Sequence, residues 1–206
     1  MKNKLLIFVK HPEPRKVKTR LAATIGNESA LNIYKGLLNI TERIARNVPA
    51  KREVHYGGKI TEEDVFSSVL YEKHLQVNGD LGEKMKFAFE ASFESGYEKV
   101  VIIGSDCPLL ESRHIEQSFE LLQFNDVVFG PARDGGYYLL AMRRLIPELF
   151  SGISWSTDTV LKDSQKKLKM QGISFVSLET LSDVDEEKDL HDFYTALEKW
   201  NLALSN

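Results

Sequence analysis

Short, continuous runs of apolar residues alternate with amphipathic stretches along this chain, and this alternation is what most constrains its fold. Leu5 to Val9 and Lys99 to Ile103 are runs rich in residues that favour strands buried on both faces. Between them, residues 30–44 carry apolar side chains at helical spacing. Strands that alternate with helices predict an α/β fold with an open, mostly parallel central sheet and helices on both faces.

The same reasoning assigns the remaining elements. Further strands are expected at 53–56, 126–129, 137–142 and 173–177. Further helices are expected at 61–74, from about 83 to Gly96, and at 112–123, 156–171 and 187–201. Because the sequence contains no repeat, low-complexity stretch or break in composition, residues 1–206 are predicted to form a single domain.

Composition excludes several classes of protein. The content of 42% hydrophobic and 28% charged residues is that of an ordinary soluble globular protein. A net charge of −3 argues against general coating of nucleic acids. The single cysteine, Cys107, excludes an internal disulfide framework and a multi-cysteine zinc site. No apolar run approaches the length of a membrane span, so the expectation is a cytoplasmic protein with no nucleic-acid partner.

Ligands of open α/β sheets bind beyond the carboxyl ends of the strands, and the loop after the first strand is rich in cations there. Against one acid, Glu13, this loop contains Lys10, Arg15, Lys16, Lys18 and Arg20. Arginine forks and lysine point charges suit a polyphosphate, although a solvated charged loop explains the same composition equally well. The loop has neither the Walker spacing nor G-x-G-x-x-G.

Three aspartates are candidate metal ligands. Asp106 follows the most apolar strand, where a carboxylate can bind Mg²⁺ or simply cap the next turn. Asp183 and Asp185 alternate in a later segment and could supply a second carboxylate. A solvated helix start is the commoner explanation of such a charge run.

Two further motifs could shape a pocket. Asp134-Gly135-Gly136-Tyr137-Tyr138 permits a tight turn and close approach to a ligand, although a hairpin with core aromatic residues explains the bare pattern better. Trp155-Ser156-Thr157 could line a pocket or cap a helix. The histidine spacings do not match a zinc hydrolase, and G-x-S-x-G is absent.

Taken together, these motifs resemble the DUF2064 group, a small bacterial glycosyltransferase-like family. The residues that carry the resemblance are Phe8 to Lys10, Pro12, Pro14, Lys16 to Leu21, Gln76, Gly79 to Gly82, Met85, Gly104 to Pro108, Gly130 to Ala132, Asp134 to Tyr138, Trp155 to Thr157 and Asp183 to Asp185. The resemblance implies the Rossmann-like GT-A nucleotide-diphospho-sugar transferase fold. More distantly, the chain is similar to molybdenum-cofactor and phospholactate guanylyltransferases, which share that fold but transfer a nucleotidyl group.

The chain departs from the family pattern at two positions. Arg15 stands where the family usually has Gly, so the phosphate loop is expected to be stiffer or differently shaped. Lys84 stands where the family usually has Arg, which keeps the charge but loses a bidentate fork.

The resemblance also implies roles for individual residues. Nucleotide binding is expected from Lys10, Lys16, Lys18, Thr19, Arg20, Gln76, Gly79, Asp80 and Gly82. Asp106, Asp183 and Asp185 are the expected ligands of Mg²⁺ or Mn²⁺. Asp106 and Asp134 are the expected catalytic residues, with Asp134 as the base of an inverting transfer. Gly135, Gly136, Tyr137 and Trp155 are expected to shape the sugar or acceptor pocket.

Two functions follow from this resemblance, and the departure at Arg15 keeps a third hypothesis open. The first expectation is a metal-dependent glycosyltransferase-like enzyme that uses a nucleotide-sugar and a small-molecule acceptor. The alternative is a nucleotidyltransferase that joins a nucleoside triphosphate to a small phosphorylated acid. A third hypothesis, from another class, is a non-catalytic nucleotide-binding module. Fold similarity by itself does not choose among these reactions.

Overall fold

A computed structural model describes residues 2–61, 64–202 and 204, and within these residues seven strands form one sheet. The strands are β1 (Asn3–Lys10), β2 (Lys51–Gly57), β3 (Glu72–Leu75), β4 (Lys99–Ile103), β5 (Val127–Pro131), β6 (Tyr137–Met142) and β7 (Phe175–Ser177). Their order across the sheet is β3-β2-β1-β4-β6-β5-β7. Only β6 runs antiparallel to its neighbours β4 and β5, so the predicted mostly parallel α/β sheet is confirmed.

Helices cover both faces of the sheet. They are α1 (Thr19–Ile25), α2 (Asn27–Ala45), α3 (Leu81–Glu94), α4 (Ser112–Leu121), α5 (Val160–Met170) and α6 (Leu190–Trp200). Alternate side chains of β1 enter different apolar layers: Leu5 and Ile7 lie in the layer of α2, α4 and α6, and Leu6 lies with Phe89 of α3. Both layers bury strand residues fully, which explains why β1 reads as a continuous apolar run.

Strand direction determines which loops meet. In the register of β1 with β4, Ile7 pairs with Ile103, so the loops that follow these strands emerge side by side. The strand β7 runs parallel to β5 and ends at the same edge of the sheet, where the antiparallel β6 begins at Tyr137. The cation-rich loop, the Asp106 loop, the glycine turn and the 183–185 segment therefore converge at this edge.

The helix expected at 61–74 is wrong for the residues described there. Residues 64–70 form turns and bends, and Glu72–Leu75 is the edge strand β3; Glu62 and Glu63 of the predicted helix lie outside the described residues. Pairing with β2 decides the conformation of β3, since most of its side chains remain exposed and its sequence has no apolar run.

Two predicted helices begin later than expected. The helix predicted from 156 begins at Val160, because Ser156 has a φ of 63° that an α-helix does not accommodate. The final helix is preceded by a 3₁₀ turn over Glu187–Asp189 and begins at Leu190. None of the helices in the described part of the chain is long and apolar enough to cross a membrane.

Candidate nucleotide and metal cleft

A cleft of about 770 Å³ opens at the edge of the sheet where the functional loops converge. The residues predicted from sequence that line it are Lys10, Lys18, Thr19, Arg20, Gln76, Asp106, Asp134, Gly136, Tyr137, Trp155, Asp183 and Asp185. Such a volume lies in the range of small-molecule sites, and its position beyond the strand ends is where open α/β sheets bind ligands.

The ammonium group of Lys18 lies at the centre of the charged part of the cleft. Lys18 precedes α1 with left-handed backbone geometry, and its side chain is only 4% exposed. Its Nζ lies 2.6 Å from Oδ1 of Asp106 and 3.6 Å from Oδ1 of Asp185, and it donates to the carbonyl of Val184 at 2.6 Å. One cation thus joins the loop after β1 to two other loops.

The segment around Asp185 is held from three sides. Arg20 donates from Nη2 to Oδ2 of Asp185 at 2.6 Å, and the Val184 amide donates to the carbonyl of Asp106 at 2.9 Å. The carboxylate of Asp189 accepts from the amide of Asp185 at 3.0 Å. Because Asp189 caps this turn, neither Asp183 nor Asp185 is needed as the cap, and both line the cleft.

Asp183 supplies the strongest indication of a cation site. Its Oδ1 is buried and has no hydrogen-bond partner among the described residues. Burial, together with the negative charges of Asp106 and Asp134, raises the pKa of Asp183 to about 7. A buried carboxylate oxygen without a donor, beside other carboxylates, has the all-oxygen ligand chemistry that Mg²⁺ and Mn²⁺ prefer, so these residues fit such an ion.

The glycine turn between β5 and β6 forms another wall. Oδ1 of Asp134 accepts from the Gly136 amide at 2.9 Å, and Gly135 has a φ of 90°. A Cβ at Gly135 would overlap the backbone of Asp158, and the Gly135 carbonyl accepts from Leu161 at 3.0 Å. The motif is therefore the hairpin turn that the pattern favours and also part of the cleft wall.

Trp155 closes the side of the cleft next to α3. A Cβ at Gly82 would lie 2.5 Å from Cζ2 of the Trp155 ring, so the indole packs directly on the first turn of α3. Behind it, Phe150 stacks on the indole with the ring centroids 6.5 Å apart. Burial raises the pKa of the Tyr137 hydroxyl far above its usual range, so this wall residue stays neutral.

Comparison with known proteins places the chain in a family. Residues 40–157 match the profile of DUF2064, described as uncharacterized proteins conserved in bacteria. The chain belongs to the DUF2064 family.

Curated relatives of this DUF2064 protein are named guanylyltransferases. It is 26% identical over 185 residues to a 2-phospho-L-lactate guanylyltransferase of Methanocaldococcus sp. FS406-22, covering 86% of this chain and 76% of the relative. It is 30% identical over 189 residues to the enzyme of that name from Methanocaldococcus vulcanius, covering 89% of this chain and 81% of the relative.

A solved structure extends this likeness to the fold. A protein from Desulfovibrio desulfuricans G20, provisionally assigned as a nucleotide-diphospho-sugar transferase, superposes with a TM-score of 0.86 at 28% identity. The match covers 98% of the DUF2064 chain and 96% of that protein. The GT-A nucleotide-diphospho-sugar transferase fold expected from the sequence is confirmed, and the DUF2064 protein is a transferase enzyme.

Some residues predicted for the DUF2064 site do not line the cleft. Lys16 is 69% exposed and pairs with Glu13 at 3.0 Å. Asp80 caps α3, since its Oδ1 accepts from the Glu83 amide at 2.9 Å. Gly79, Gly82 and Gly135 are not among the lining residues, although Gly82 packs against Trp155 and Gly135 against the backbone of Asp158, which are.

Other residues that line the cleft were not predicted from the sequence. The Tyr34 hydroxyl on α2 accepts from the Lys10 amide at 2.8 Å and lies 3.4 Å from Oγ of Ser105, so it joins two site loops. Burial raises the pKa of Tyr34 to about 12. A tyrosine among the apolar positions of the predicted helix at 30–44 was the feature that could have indicated this role. Asp158 also lines the cleft and carried no sequence signal.

Gln76 and Cys107 have structural roles in the cleft. The Gln76 amide donates to the carbonyls of His55 at 2.9 Å and Val9 at 3.3 Å, which ties the end of β3 to the neighbouring strands. Cys107 is buried, and this burial raises its thiol pKa far above the usual range. A thiol held neutral in this way is a packing residue rather than a nucleophile.

Proposed function

We propose that this protein is a metal-dependent nucleotidyltransferase that joins the nucleoside monophosphate part of a triphosphate to a small phosphorylated acid. The observation that carries the proposal is the buried, unpartnered Oδ1 of Asp183 beside Asp106 in the cleft. The guanylyltransferase names of the curated relatives support this reaction over sugar transfer.

The charge of the cleft supports a requirement for a divalent cation. Its aspartates are Asp106, Asp134, Asp158, Asp183 and Asp185, and its lysines and arginine are Lys10, Lys18, Arg20 and Lys84. Lys18 and Arg20 are already paired with aspartates. Little unpaired positive charge, that of Lys10 and Lys84, is therefore left to meet a triphosphate. When bound by Asp106 with Asp183 or Asp185, Mg²⁺ or Mn²⁺ would neutralise phosphate oxygens and the charge that develops on the leaving group.

Lys10 and Lys84 are the side chains best placed to bind phosphate. Both line the cleft, and neither makes an ion pair among the residues that the structure describes. Their ammonium groups are therefore available as point charges for phosphate oxygens. Lys84 lies in the first turn of α3, where the partial positive charge of the helix N-terminus adds to its own.

The proposed transfer needs little proton chemistry. An oxygen of the acceptor phosphate attacks the α-phosphorus, and the bond from that phosphorus to the β-bridging oxygen breaks as pyrophosphate leaves. A phosphate monoester, with a second pKa of about 6, is already ionised at neutral pH, so no general base is needed. This agrees with Asp134, whose Oδ1 is occupied by the Gly136 amide.

Transfer of a sugar from a nucleotide-sugar is the second candidate. The likeness to the Desulfovibrio protein, over 98% of this chain, favours it. A hydroxyl acceptor would then need a base, and the Asp134 carboxylate on the cleft wall is the candidate for that role.

Product analysis tests the choice. Each nucleoside triphosphate is incubated with Mg²⁺ or Mn²⁺ and a panel of small phosphorylated hydroxy acids, and each nucleotide-sugar with hydroxyl acceptors. We expect acceptor-dependent release of pyrophosphate from one triphosphate. Release of nucleoside diphosphate from a nucleotide-sugar, without pyrophosphate, would establish sugar transfer instead. Nucleotide binding without either product would overturn both candidates in favour of a binding module.

A further inference from the structure

A second group of ligating side chains lies on the sheet outside the cleft. It comprises Glu53 and His55 of β2 and Glu72 and His74 of β3, none of which lines the cleft. In the register of these strands Glu53 pairs with Glu72 and His55 with His74, so the four side chains form two adjacent rows. The two imidazole rings stack with their centroids 5.3 Å apart.

Each carboxylate of this group is paired with a lysine through one of its two oxygens. Lys4 lies 2.5 Å from Oε1 of Glu53, and Lys51 lies 2.5 Å from Oε1 of Glu72. Each remaining oxygen, Oε2, lies near His74, at 3.9 Å and 4.0 Å from its Nε2 respectively. The arrangement brings two carboxylate oxygens and one ring nitrogen close together.

The spacing of these atoms suits a metal ion. One ligand atom each from Glu53, Glu72 and His74 lies within 4.8 Å of the others. Ligands about 2.1 Å from a tetrahedral ion stand about 3.4 Å apart, so a small inward movement of exposed side chains would complete the coordination. The side chains of Glu72 and His74 are 52% and 46% exposed, which gives both access and freedom to move.

His55 borders this group and orients Glu53. Its Nε2 lies 3.2 Å from Oε2 of Glu53. The stack of Phe8 on His55, with centroids 5.3 Å apart, fixes the plane of this ring.

We propose that Glu53, Glu72 and His74 bind a divalent transition ion of the Zn²⁺ class, with His55 orienting Glu53 through its hydrogen bond. Mixed imidazole and carboxylate ligands favour Zn²⁺, Co²⁺ or Ni²⁺ over Mg²⁺, whereas the all-oxygen cleft has the opposite preference. The ion would fasten the edge strand β3 to β2. The site does not depend on the proposed nucleotidyl transfer.

Zn²⁺ titration of the chelator-treated full chain, in excess Mg²⁺ and followed by calorimetry, tests this site. We expect one Zn²⁺ equivalent, and a loss of more than about tenfold in affinity for His74→Ala and for Glu72→Gln. The matched control His191→Ala removes an exposed histidine on α6 and should leave the affinity unchanged. Asp106→Asn, which alters only the cleft, should also retain the Zn²⁺ equivalent.

Imidazole NMR of the unmutated protein gives a second readout that does not depend on how the variants fold. Zn²⁺ should shift the ring nitrogen resonances of His55 and His74 and leave those of His191 in place. Equal Zn²⁺ affinity in the wild type and the His74→Ala variant, or unmoved His74 resonances at saturating Zn²⁺, would overturn the proposal.

Discussion

The Nζ atom of Lys18 lies 2.6 Å from Oδ1 of Asp106, in a contact where the lysine side chain is 4% exposed and the aspartate is 48% exposed. Lys18 thereby neutralises, from the protein's own chain, a group of carboxylates that includes Asp185 at 3.6 Å. Removal of this cation would leave like charges facing one another at short range.

Lys18→Met is therefore expected to lower the free energy of unfolding by about 1–3 kcal/mol in chelator. Mg²⁺ should raise the melting temperature of this variant by more than that of the wild type, since it can replace the lost positive charge. Thermal unfolding with and without Mg²⁺ measures both effects. Lys16→Met, at an exposed residue paired with Glu13, is the control and should change stability by less than about 0.5 kcal/mol. Equal Mg²⁺ shifts in the wild type and Lys18→Met would contradict the prediction.

Asp106→Asn should remove metal-dependent nucleotide binding and retain the fold. Asparagine keeps the shape of the side chain but loses the charge that binds a hard divalent cation. Nucleotide affinity with and without Mg²⁺, together with circular dichroism, tests this expectation. Asp192→Asn on α6, outside the cleft lining, is the matched control. Unchanged affinity in the Asp106 variant would exclude this residue from the site.

Gly82→Ala should displace the indole of Trp155, because the added methyl group would lie 2.5 Å from Cζ2 of that ring. We expect a stability loss of about 1–3 kcal/mol, weaker substrate binding and altered tryptophan fluorescence. Gly104→Ala is the stability control, since a Cβ there meets nothing within 4 Å. Wild-type stability and emission in the Gly82 variant would show that Trp155 does not rest on this glycine.

Asp126→Asn tests a carboxylate that is paired with two arginines outside the cleft. Burial alone would raise the pKa of Asp126, but hydrogen bonds from Ser174, Arg143 and Arg144 outweigh it and lower this pKa to about 2. A depressed carboxyl pKa contributes stability above the unfolded pKa, and this contribution is lost as pH falls toward the folded value.

The Asp126 variant should therefore be less stable than the wild type by about 1–3 kcal/mol at pH 7, and the difference should narrow as pH falls from about 5 toward 2. Urea unfolding across this pH range measures the difference. A difference in unfolding free energy that stayed constant down to pH 3 would show that the ionised Asp126 carboxylate is not its cause.

Arg15 occupies a left-handed backbone position, with a φ of 66°. Glycine adopts this conformation without steric cost, so Arg15→Gly should relieve strain in the folded state. Glycine also raises the entropy of the unfolded chain, which opposes this gain, so the free energy of unfolding should rise by no more than about 1 kcal/mol. Arg15→Ala keeps the Cβ and should be less stable than Arg15→Gly. Melting temperatures of the two variants compare them directly, and a more stable alanine variant would be inconsistent with strain at this position.

The local sequence determined the strands that are buried on both faces, because they are built around continuous runs of apolar side chains. Both neighbours of β1 and β4 are strands and both faces are covered, so each reads as an apolar run that could be predicted without tertiary information. The edge strand β3 could not, because pairing with β2 holds it in place while its side chains remain largely exposed. The convergence of the motif loops followed from the expected strand order.

The sequence by itself determined the mostly parallel α/β fold, the loops that line the cleft and most of the charged residues in its lining. Only the tertiary structure decided which acidic side chain is buried, which is paired with a cation and which caps a turn. The Lys18 ammonium bonds to the Val184 carbonyl 166 positions along the chain, and Asp189 caps the turn that leaves Asp183 buried beside Asp106. Local patterns encode burial and periodicity, but the charge environment of a carboxylate depends on groups that only folding brings within a few ångströms.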